Sequence, residues 1–256
     1  MNLSQPVKQP QKTSTTPDAE KPLSINPRKI ARSLIYVTLF LTVIYIISGI
    51  LEKMVGVESI VTKSLYYAFD MDGEDNIPSA FSFIILVLSA VLLIVIGNST
   101  SIKKHRKFWF LLSFIFLFLA CDEFMQIHEK LGMYLKDSKE SVGGSNFVWV
   151  LPYGIAALAV GFLFIRFVLQ LPRKTRNLFF IAGFLYVFSA LFIDYVQGII
   201  QKQGLPKTYY KVLTCIEEPG EMIGVIIFIY ALLDFLTYEK GSFNMRIEEP
   251  KTAGHI

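Results

Sequence analysis

The chain has 256 residues, of which 53% are hydrophobic, and its formal net charge is +4. Soluble domains rarely contain so much apolar surface, and the basic residues are spread over short loops rather than gathered in one patch. The composition therefore excludes an ordinary soluble enzyme and gives no sign of a nucleic-acid partner. Two cysteines are too few for a disulfide scaffold.

Two polar tails flank a hydrophobic middle. Residues 1–29 are poor in aromatic residues and rich in Pro, Ser, Thr and Lys, which predicts a disordered cytoplasmic tail. This tail lacks the apolar core and cleavage site of a signal peptide, so the first hydrophobic run is kept as a spanning helix. Residues 30–238 are predicted to form one six-helix transmembrane domain, and residues 239–256 a cytoplasmic C-terminal tail.

Six apolar runs of about 20 residues match the length that crosses a hydrocarbon core. They predict an all-α, polytopic helical membrane bundle. Because Pro219 resists a continuous helix, Thr208–Ile216 is expected to form a separate short interfacial helix. The six expected spanning helices are Ser33–Leu51, Pro78–Gly97, Phe108–Leu131, Phe147–Ile165, Leu178–Ile200 and Pro219–Tyr238.

Lysine and arginine in short loops predict the orientation, because cytoplasmic loops carry an excess of these residues. They precede the first helix, join the second helix to the third, and join the fourth helix to the fifth. All three places lie on one side of a six-helix bundle, so both termini are expected in the cytoplasm. The first loop on the opposite side is acidic, with Asp70, Asp72, Glu74 and Asp75.

The third helix ends with the ionisable residues Asp122, Glu123, His128 and Glu129. Charge at membrane depth is costly, so such residues are functional candidates by default. At 3.6 residues per turn, Asp122 and Glu129 share one helix face, with Glu123 and His128 on either side of it. We expect this face to point into the bundle near its extracytoplasmic surface.

A second acidic group opens the last helix, with Glu217, Glu218 and Glu221 on one arc. Asp194 lies at a similar depth on the fifth helix, on the face that also carries Gln197. The simplest arrangement points these side chains at one another. The predicted metal ligands are Asp122, Glu123, His128, Glu129, Asp194, Glu217, Glu218 and Glu221.

Closely spaced carboxylates cannot all stay ionised unless a cation neutralises them or some are protonated. One histidine with several carboxylates suits Mn²⁺, Fe²⁺, Mg²⁺ or Ca²⁺ better than Zn²⁺. The other histidines, His105 and His255, are expected on the cytoplasmic side, which leaves no pair for a haem. Alternatives remain open: the third-helix residues could be solvated at a helix end, and the last-helix acids could simply complement the helix dipole.

Two further features have open interpretations. Residues 70–76 look like a calcium loop but fail the EF-hand pattern, because Asp75 stands where that loop needs Gly. The segment is either a solvated turn or a loop that feeds cations to the site or closes over it. Cys121 and Cys215 are either free thiols or a disulfide between the third and last helices.

Three motifs taken together resemble a pattern in an uncharacterised family of bacterial multi-spanning membrane proteins. The motifs are Gly73-Glu74-x-Asn76-x-Pro78-Ser79-x-Phe81-Ser82, Asp122-Glu123-x₄-His128-Glu129 and Glu217-Glu218-x-x-Glu221. The resemblance covers the second to the sixth helix. It implies a protein of the bacterial inner membrane and brings no known activity with it.

Three functions fit these residues. The first is transport or exchange of a cation or proton at the extracytoplasmic carboxylate cluster, favoured by weakly repeated sequences at the ends of the first, third and fifth helices. The second is a metal-dependent membrane enzyme that acts on a lipid or small molecule at the outer interface, with Glu123 or Glu218 as base. The third is an accessory or structural subunit. Expected partners are membrane lipid and either a second copy of the chain or a membrane complex.

Overall fold

Helices make up almost all of the chain that the computed structural model describes, which is residues 26–55, 60–100, 103–137 and 146–240. Most of both expected tails lies outside these residues. A short 3₁₀ turn (Asn146–Trp149) precedes α6, and a π-helical segment (Phe188–Ile193) joins α7 to α8. The α-helices are α1 (Pro27–Val55), α2 (Ile60–Phe69), α3 (Ile77–Ser99), α4 (Lys103–Met125), α5 (Ile127–Asp137), α6 (Val150–Val168), α7 (Arg173–Val187), α8 (Asp194–Lys202) and α9 (Lys207–Lys240).

Within the described residues six stretches are long and apolar enough to cross a membrane, which confirms the predicted class of integral, all-α membrane protein. Helices satisfy their own backbone hydrogen bonds, and this is why they can stand in hydrocarbon where water is absent. Apolar side chains on their outer faces, such as Phe162 with 86% of its surface exposed, contact lipid. The spans are Pro27–Met54, Ile77–Ser99, Lys103–Met125, Val150–Val168, Arg173–Lys202 and Lys207–Thr237.

The two ends of the bundle differ in charge. One end, called the basic end below, holds the start of α1 and the α3–α4 and α6–α7 junctions, and there Lys174 Nζ lies 2.5 Å from Asp234 Oδ1. The opposite end, called the acidic end, holds α2, residues 70–76 and α5. At the acidic end Lys211 Nζ donates to Glu52 Oε2 at 2.7 Å, and this bond ties α9 to α1.

Helix α9 is the centre of the bundle. In its most apolar 18-residue stretch 67% of the residues are buried, against 11% in that of α6, and α9 packs on α1, α3 and α7. It contributes to two hydrophobic clusters, one near each end. The basic-end cluster includes Leu93, Trp109, Phe164, Phe167, Phe179, Phe228 and Phe235, and the second cluster includes Leu41, Ile85, Met222, Ile226 and Ile229.

The expected helix break before Pro219 is wrong. Helix α9 runs unbroken from Lys207 to Lys240 with Pro219 inside it, so Thr208–Ile216 forms its first turns instead of a separate helix. Proline removes one backbone hydrogen bond and crowds the preceding turn, at a cost of about 3 kcal/mol. Packing on the neighbouring helices holds the segment helical in spite of that cost, as is common inside membranes.

The expected continuous third helix is also wrong at its end. Gln126 has a φ of +55°, in the left-handed region, and it separates α4 from α5. His128 and Glu129 consequently belong to the first turn of α5. Helix α2 is an addition that the sequence did not predict, because its ten residues are too short to span the membrane.

Two glycines let α9 approach α7 and the π-helical segment closely. A Cβ on Gly220 would overlap the Ser189 hydroxyl oxygen, and a Cβ on Gly224 would lie 3.0 Å from the backbone nitrogen of Tyr186. Glycines four residues apart are a frequent means of close helix packing in membranes. This contact brings the acidic first half of α9 against α8.

We expect Gly224→Ala to lower the melting temperature of the protein in detergent. The added methyl group would meet the backbone of Tyr186 and Ala182, at 3.0 and 3.1 Å, and backbone atoms cannot move without displacing α7. Overpacking of this kind costs about 1–3 kcal/mol. Gly161→Ala is the control, because nothing lies within 4 Å of its added Cβ. Equal melting temperatures for the two variants would contradict the close contact.

Candidate functional site

A cavity of about 520 Å³ lies at the acidic end of the bundle, between α4, α6, the π-helical segment, α8 and α9. Within the described part of the chain no lysine or arginine lines it. Its wall combines polar groups with a larger apolar part, to which Phe114, Phe118 and Val160 contribute. Its lining includes every residue that the sequence marked as a candidate: Asp122, Glu123, His128, Glu129, Asp194, Glu217, Glu218 and Glu221.

Asp122 joins the broken ends of α4 and α5. Its Oδ1 accepts the backbone N–H of His128 at 2.9 Å and the hydroxyl of Tyr153 at 2.8 Å. The carboxylate thus caps the N-terminus of α5, where the helix dipole favours negative charge. The break at Gln126 therefore places this carboxylate beside a helix start, where the sequence had predicted one continuous helix.

The imidazole of His128 is oriented by the same carboxylate. Its Nδ1 lies 3.3 Å from Asp122 Oδ2, while its Nε2 lies 3.8 Å from Glu74 Oε1. The ring also packs against Trp149, with ring centroids 4.7 Å apart. A histidine whose one ring nitrogen bonds a carboxylate presents the other nitrogen in a defined direction, as metal-ligating histidines do.

A rigid loop presents Glu74 to this nitrogen. Asn76 caps α3 through a capping box with Ser79, and its side-chain amide donates to the carbonyls of Asp70 and Gly73, both at 2.6 Å. Burial raises the pKa of Glu74 to about 8, against the opposing effect of His128. Its Oε2 is buried and has no hydrogen-bond partner. A buried carboxylate oxygen without a partner is costly unless a proton or a cation joins it.

Among the described residues, Glu74, His128 and Glu129 form a group of three side chains whose ligand atoms lie close together. One such atom from each residue lies within 4.8 Å of those of the other two. Burial tends to lower the pKa of His128, but the hydrogen bond to Asp122 and the nearby carboxylates outweigh it and raise the pKa. Glu74 was not among the ligands predicted from the sequence, although a loop closing over the site was one of the two expectations for residues 70–76.

The other candidate acids lie deeper in the cavity. Asp194 is only 7% exposed, and its Oδ2 has no hydrogen-bond partner. Glu217, equally buried, accepts a short hydrogen bond from the side-chain amide of Gln197, which also donates to Thr214 at 3.3 Å. Glu123, Glu218 and Glu221 line the same cavity. The structure therefore brings the eight predicted residues to one cavity but divides them between a group with His128 and a deeper acidic group.

The π-helical segment Phe188–Ile193 sets the direction of Asp194. A π-helical turn has one extra residue, so the helix face after it is rotated relative to the face before it. Asp194 is the first residue after this segment and lines the cavity together with Gln197, which bonds Thr214 and Glu217 of α9. Sequence periodicity cannot find such a turn, because it assumes 3.6 residues per turn throughout.

Both cysteines are free thiols, so the disulfide alternative is wrong. Cys121 is exposed on α4 and Cys215 is half-buried on α9. Neither contributes to the cavity lining.

The chain belongs to the family described as "Domain of unknown function (DUF8692)", which matches residues 34–236. The matched range includes every cavity residue named above. It also includes the six spans, except for residues 27–33 at the start of the first span and Thr237 at the end of the last. No curated protein and no solved structure matches the chain. Membership of a family of unknown function is consistent with the expected resemblance to an uncharacterised family. It assigns no activity to the cavity.

We expect Asp122→Ala to destabilise the protein. It would remove the acceptor for His128 N–H and for the Tyr153 hydroxyl, and an unpaired buried donor costs about 1–3 kcal/mol. Tyr153→Phe removes only one of these bonds and should cost less. Cys121→Ala changes the neighbouring exposed position and is the control. The measurement is the melting temperature in detergent, and an Asp122→Ala value equal to that of Cys121→Ala would refute the capping role.

Proposed function

We propose that this chain is an integral membrane enzyme that binds one divalent cation at Glu74, His128 and Glu129 and hydrolyses an amphipathic substrate. The observation that carries the proposal is the orientation of His128. Asp122 holds one ring nitrogen, and the other faces Glu74, whose second oxygen is buried without a partner. A cation at this point would satisfy the carboxylate oxygen and use the free nitrogen.

The ligand set favours Mn²⁺ or Fe²⁺, with Mg²⁺ and Ca²⁺ as harder alternatives. One imidazole and two carboxylates suit a hard to intermediate cation, and they leave further coordination positions for water or substrate. Asp122 is occupied by its bonds to His128 and Tyr153, so its role in this proposal is to position His128 rather than to bind the cation.

The shape of the cavity favours chemistry at one membrane face over transport across the membrane. The basic-end cluster fills the other half of the bundle, where Trp109 and Phe167 pack with ring centroids 4.9 Å apart and Phe116 stacks on Phe228 at 4.6 Å. A transported ion would have to pass this apolar region. An enzyme that works at the interface needs access from one side only, and the apolar wall of the cavity suits an amphipathic substrate.

The remaining carboxylates of the cavity include the two candidates for the general base. A bound cation makes a coordinated water more acidic and polarises an ester oxygen. Glu123 and Glu218 line the same cavity as Glu74 and His128. In this proposal one of these two carboxylates accepts the proton of the attacking water and returns it to the leaving group. Glu123 is the nearer of the two in sequence to the His128 group, and Glu218 belongs to the deeper acids of α9.

Elemental analysis and lipid hydrolysis, measured on the same detergent-solubilised preparations, test the proposal. Wild-type protein should contain near-stoichiometric divalent metal and release products from added phospholipid. His128→Gln and Glu74→Gln should lose both the metal and the activity, because each removes a ligand. Asp122→Asn should weaken metal binding by about 10–100-fold, the usual effect of removing the partner of a metal-bound histidine.

Two controls sharpen the experiment. Asp234→Asn removes a carboxylate at the basic end and should keep both metal and activity. Glu218→Gln should keep the metal and lose activity if Glu218 is the base. Loss of metal in Glu218→Gln, with retention in Glu74→Gln, would place the cation among the deeper acids and reject the three-residue site. A wild-type protein that binds no metal after loading would reject the proposal altogether.

We propose that the acidic end faces away from the cytoplasm. The basic residues at the start of α1 and at the α3–α4 and α6–α7 junctions support this orientation through the excess of lysine and arginine in cytoplasmic loops. In a bacterial cell, which the sequence resemblance implies, the site would then face the periplasm.

Single cysteines in a background without Cys121 and Cys215 test the orientation. Ser64→Cys on α2 should react with a membrane-impermeant maleimide in intact spheroplasts, because Ser64 is exposed at the acidic end. Asn177→Cys in α7, exposed near the basic end, should react only after the membrane is opened. The reverse pattern would mean that the cavity opens to the cytoplasm.

A further inference from the structure

A second space, a groove of about 790 Å³, runs along the outside of the bundle between α6 and the pair formed by the π-helical segment and α8. Its wall is almost entirely apolar. Small residues open it, because Gly154, Ala157 and Gly198 leave room where larger side chains would fill the space. Helix α6 packs loosely on the bundle, because few of the residues in its apolar stretch are buried. The groove is therefore open toward lipid.

The groove adjoins the acidic cavity. Ala157, Val187 and Leu191 line both spaces and form the boundary between them. Helix α8 has one face on each space. Asp194, Gln197 and Gln201 line the cavity, whereas the groove is lined by Tyr195, Gly198, Ile199 and Lys202.

The length of the groove matches one lipid leaflet. From Val150 to Leu158, both of which line it, α6 rises eight residues, which is about 12 Å at 1.5 Å per residue. Half of a hydrocarbon core that is about 30 Å thick is of the same order. A single acyl chain of the leaflet at the acidic end would therefore fill the groove without crossing the midplane.

Groups of opposite charge lie on the two faces of α8 at the acidic end of the groove. Lys202, the last residue of α8, lines the groove and supplies positive charge there. In the part of the chain that the structure describes, nine carboxylates and one histidine line the cavity on the other face of the same helix. A divalent cation would neutralise only part of that negative charge. The arrangement is complementary to a headgroup that carries a phosphate and an ammonium.

We infer that the groove binds one acyl chain of an aminophospholipid, with Lys202 at the lipid phosphate and the ammonium group facing the carboxylates of the adjoining cavity. The inference rests on the proposed function, because it names the amphipathic substrate that the cation site would act on. Lipid binding itself needs only the groove, Lys202 and the cavity acids, so it can be measured whether or not a metal is bound.

Native mass spectrometry of the purified protein provides the test. The protein is delipidated in detergent and then titrated with phosphatidylethanolamine and phosphatidylglycerol of identical acyl chains. Phosphatidylethanolamine should bind about fivefold more tightly than phosphatidylglycerol, the preference that one exposed charge contact gives. Lys202→Gln should weaken the binding of both lipids by a similar factor, because both carry the phosphate.

Gly154→Phe, which fills the groove, should abolish tight binding of both lipids. Gly161→Phe is the matched control on the same helix, because Gly161 is exposed and lies outside the groove lining. Equal lipid binding by these two variants would overturn the groove as the binding site. Equal affinity of the wild-type protein for the two lipids would overturn the identification of the ammonium headgroup.

The same spectra separate two further outcomes. If Gly154→Phe dissociates a dimer and leaves lipid binding unchanged, the groove is an interface between two copies of the chain and the inference is wrong. His128→Gln should lose metal and still bind phosphatidylethanolamine. Lipid binding without metal in the wild-type protein would therefore reject the proposed function and support the lipid site, whereas metal binding without lipid preference would do the opposite.

Discussion

Charged side chains within a membrane are stable only where protein, water or a counter-ion surrounds them, and this constraint organises the acidic half of the bundle. Carboxylates on α4, α8 and α9 turn away from lipid and line one cavity. The outer faces of these helices are apolar and exposed, as at Phe124 on α4 and Ile216 on α9. The cavity thus gathers the polar groups that the surrounding hydrocarbon would not accept.

Close packing of α9 makes this arrangement compatible with a stable bundle. Gly224 lets α9 approach α7 and Gly220 lets it approach the π-helical segment, and the basic-end cluster fills the remaining half of the interior with aromatic rings. Packing is continuous there, whereas the acidic end keeps a cavity. The π-helical segment lies between the two regions and turns Asp194 toward the cavity, which fits the frequent occurrence of π-helical turns at functional sites.

The proposed cation site and the proposed lipid groove both lie at the end of a helix. Each is held by an element that ends abruptly: α4 stops at Met125 before the left-handed Gln126, and α8 stops at Lys202. Asp122 connects the first of these ends to α5 and orients His128. Helix α8 separates the cavity carboxylates from the groove. In the proposed arrangement the lipid chain lies along the groove face of α8, and the lipid headgroup lies beside the face that carries the carboxylates.

The periodicity and hydropathy of the sequence were sufficient for the class of fold and for the approximate position of all six spans, because a spanning helix is specified by about 20 apolar residues in a row. The candidate residues were also found from sequence alone, since ionisable residues such as Asp122 and Glu218 are conspicuous in apolar runs. The loop containing Glu74 was recognised, but its role as a partner of His128 was not, because the two residues are 54 positions apart (128 − 74) and only folding brings them together.

Tertiary structure alone decided where helices continue and where they stop. Pro219 has the local chemistry of a helix breaker, yet α9 continues through it because packing on α1, α3 and α7 outweighs one lost hydrogen bond. Gln126 has no such chemistry, yet the helix ends there, where Asp122 can cap the start of α5. The amino-acid sequence by itself determined the membrane class, the approximate spans and the eight ionisable candidates that the fold brings to the cavity. The breaks, the π-helical turn and the division of the acids into two groups depended on contacts between helices, whose energies local sequence patterns do not contain.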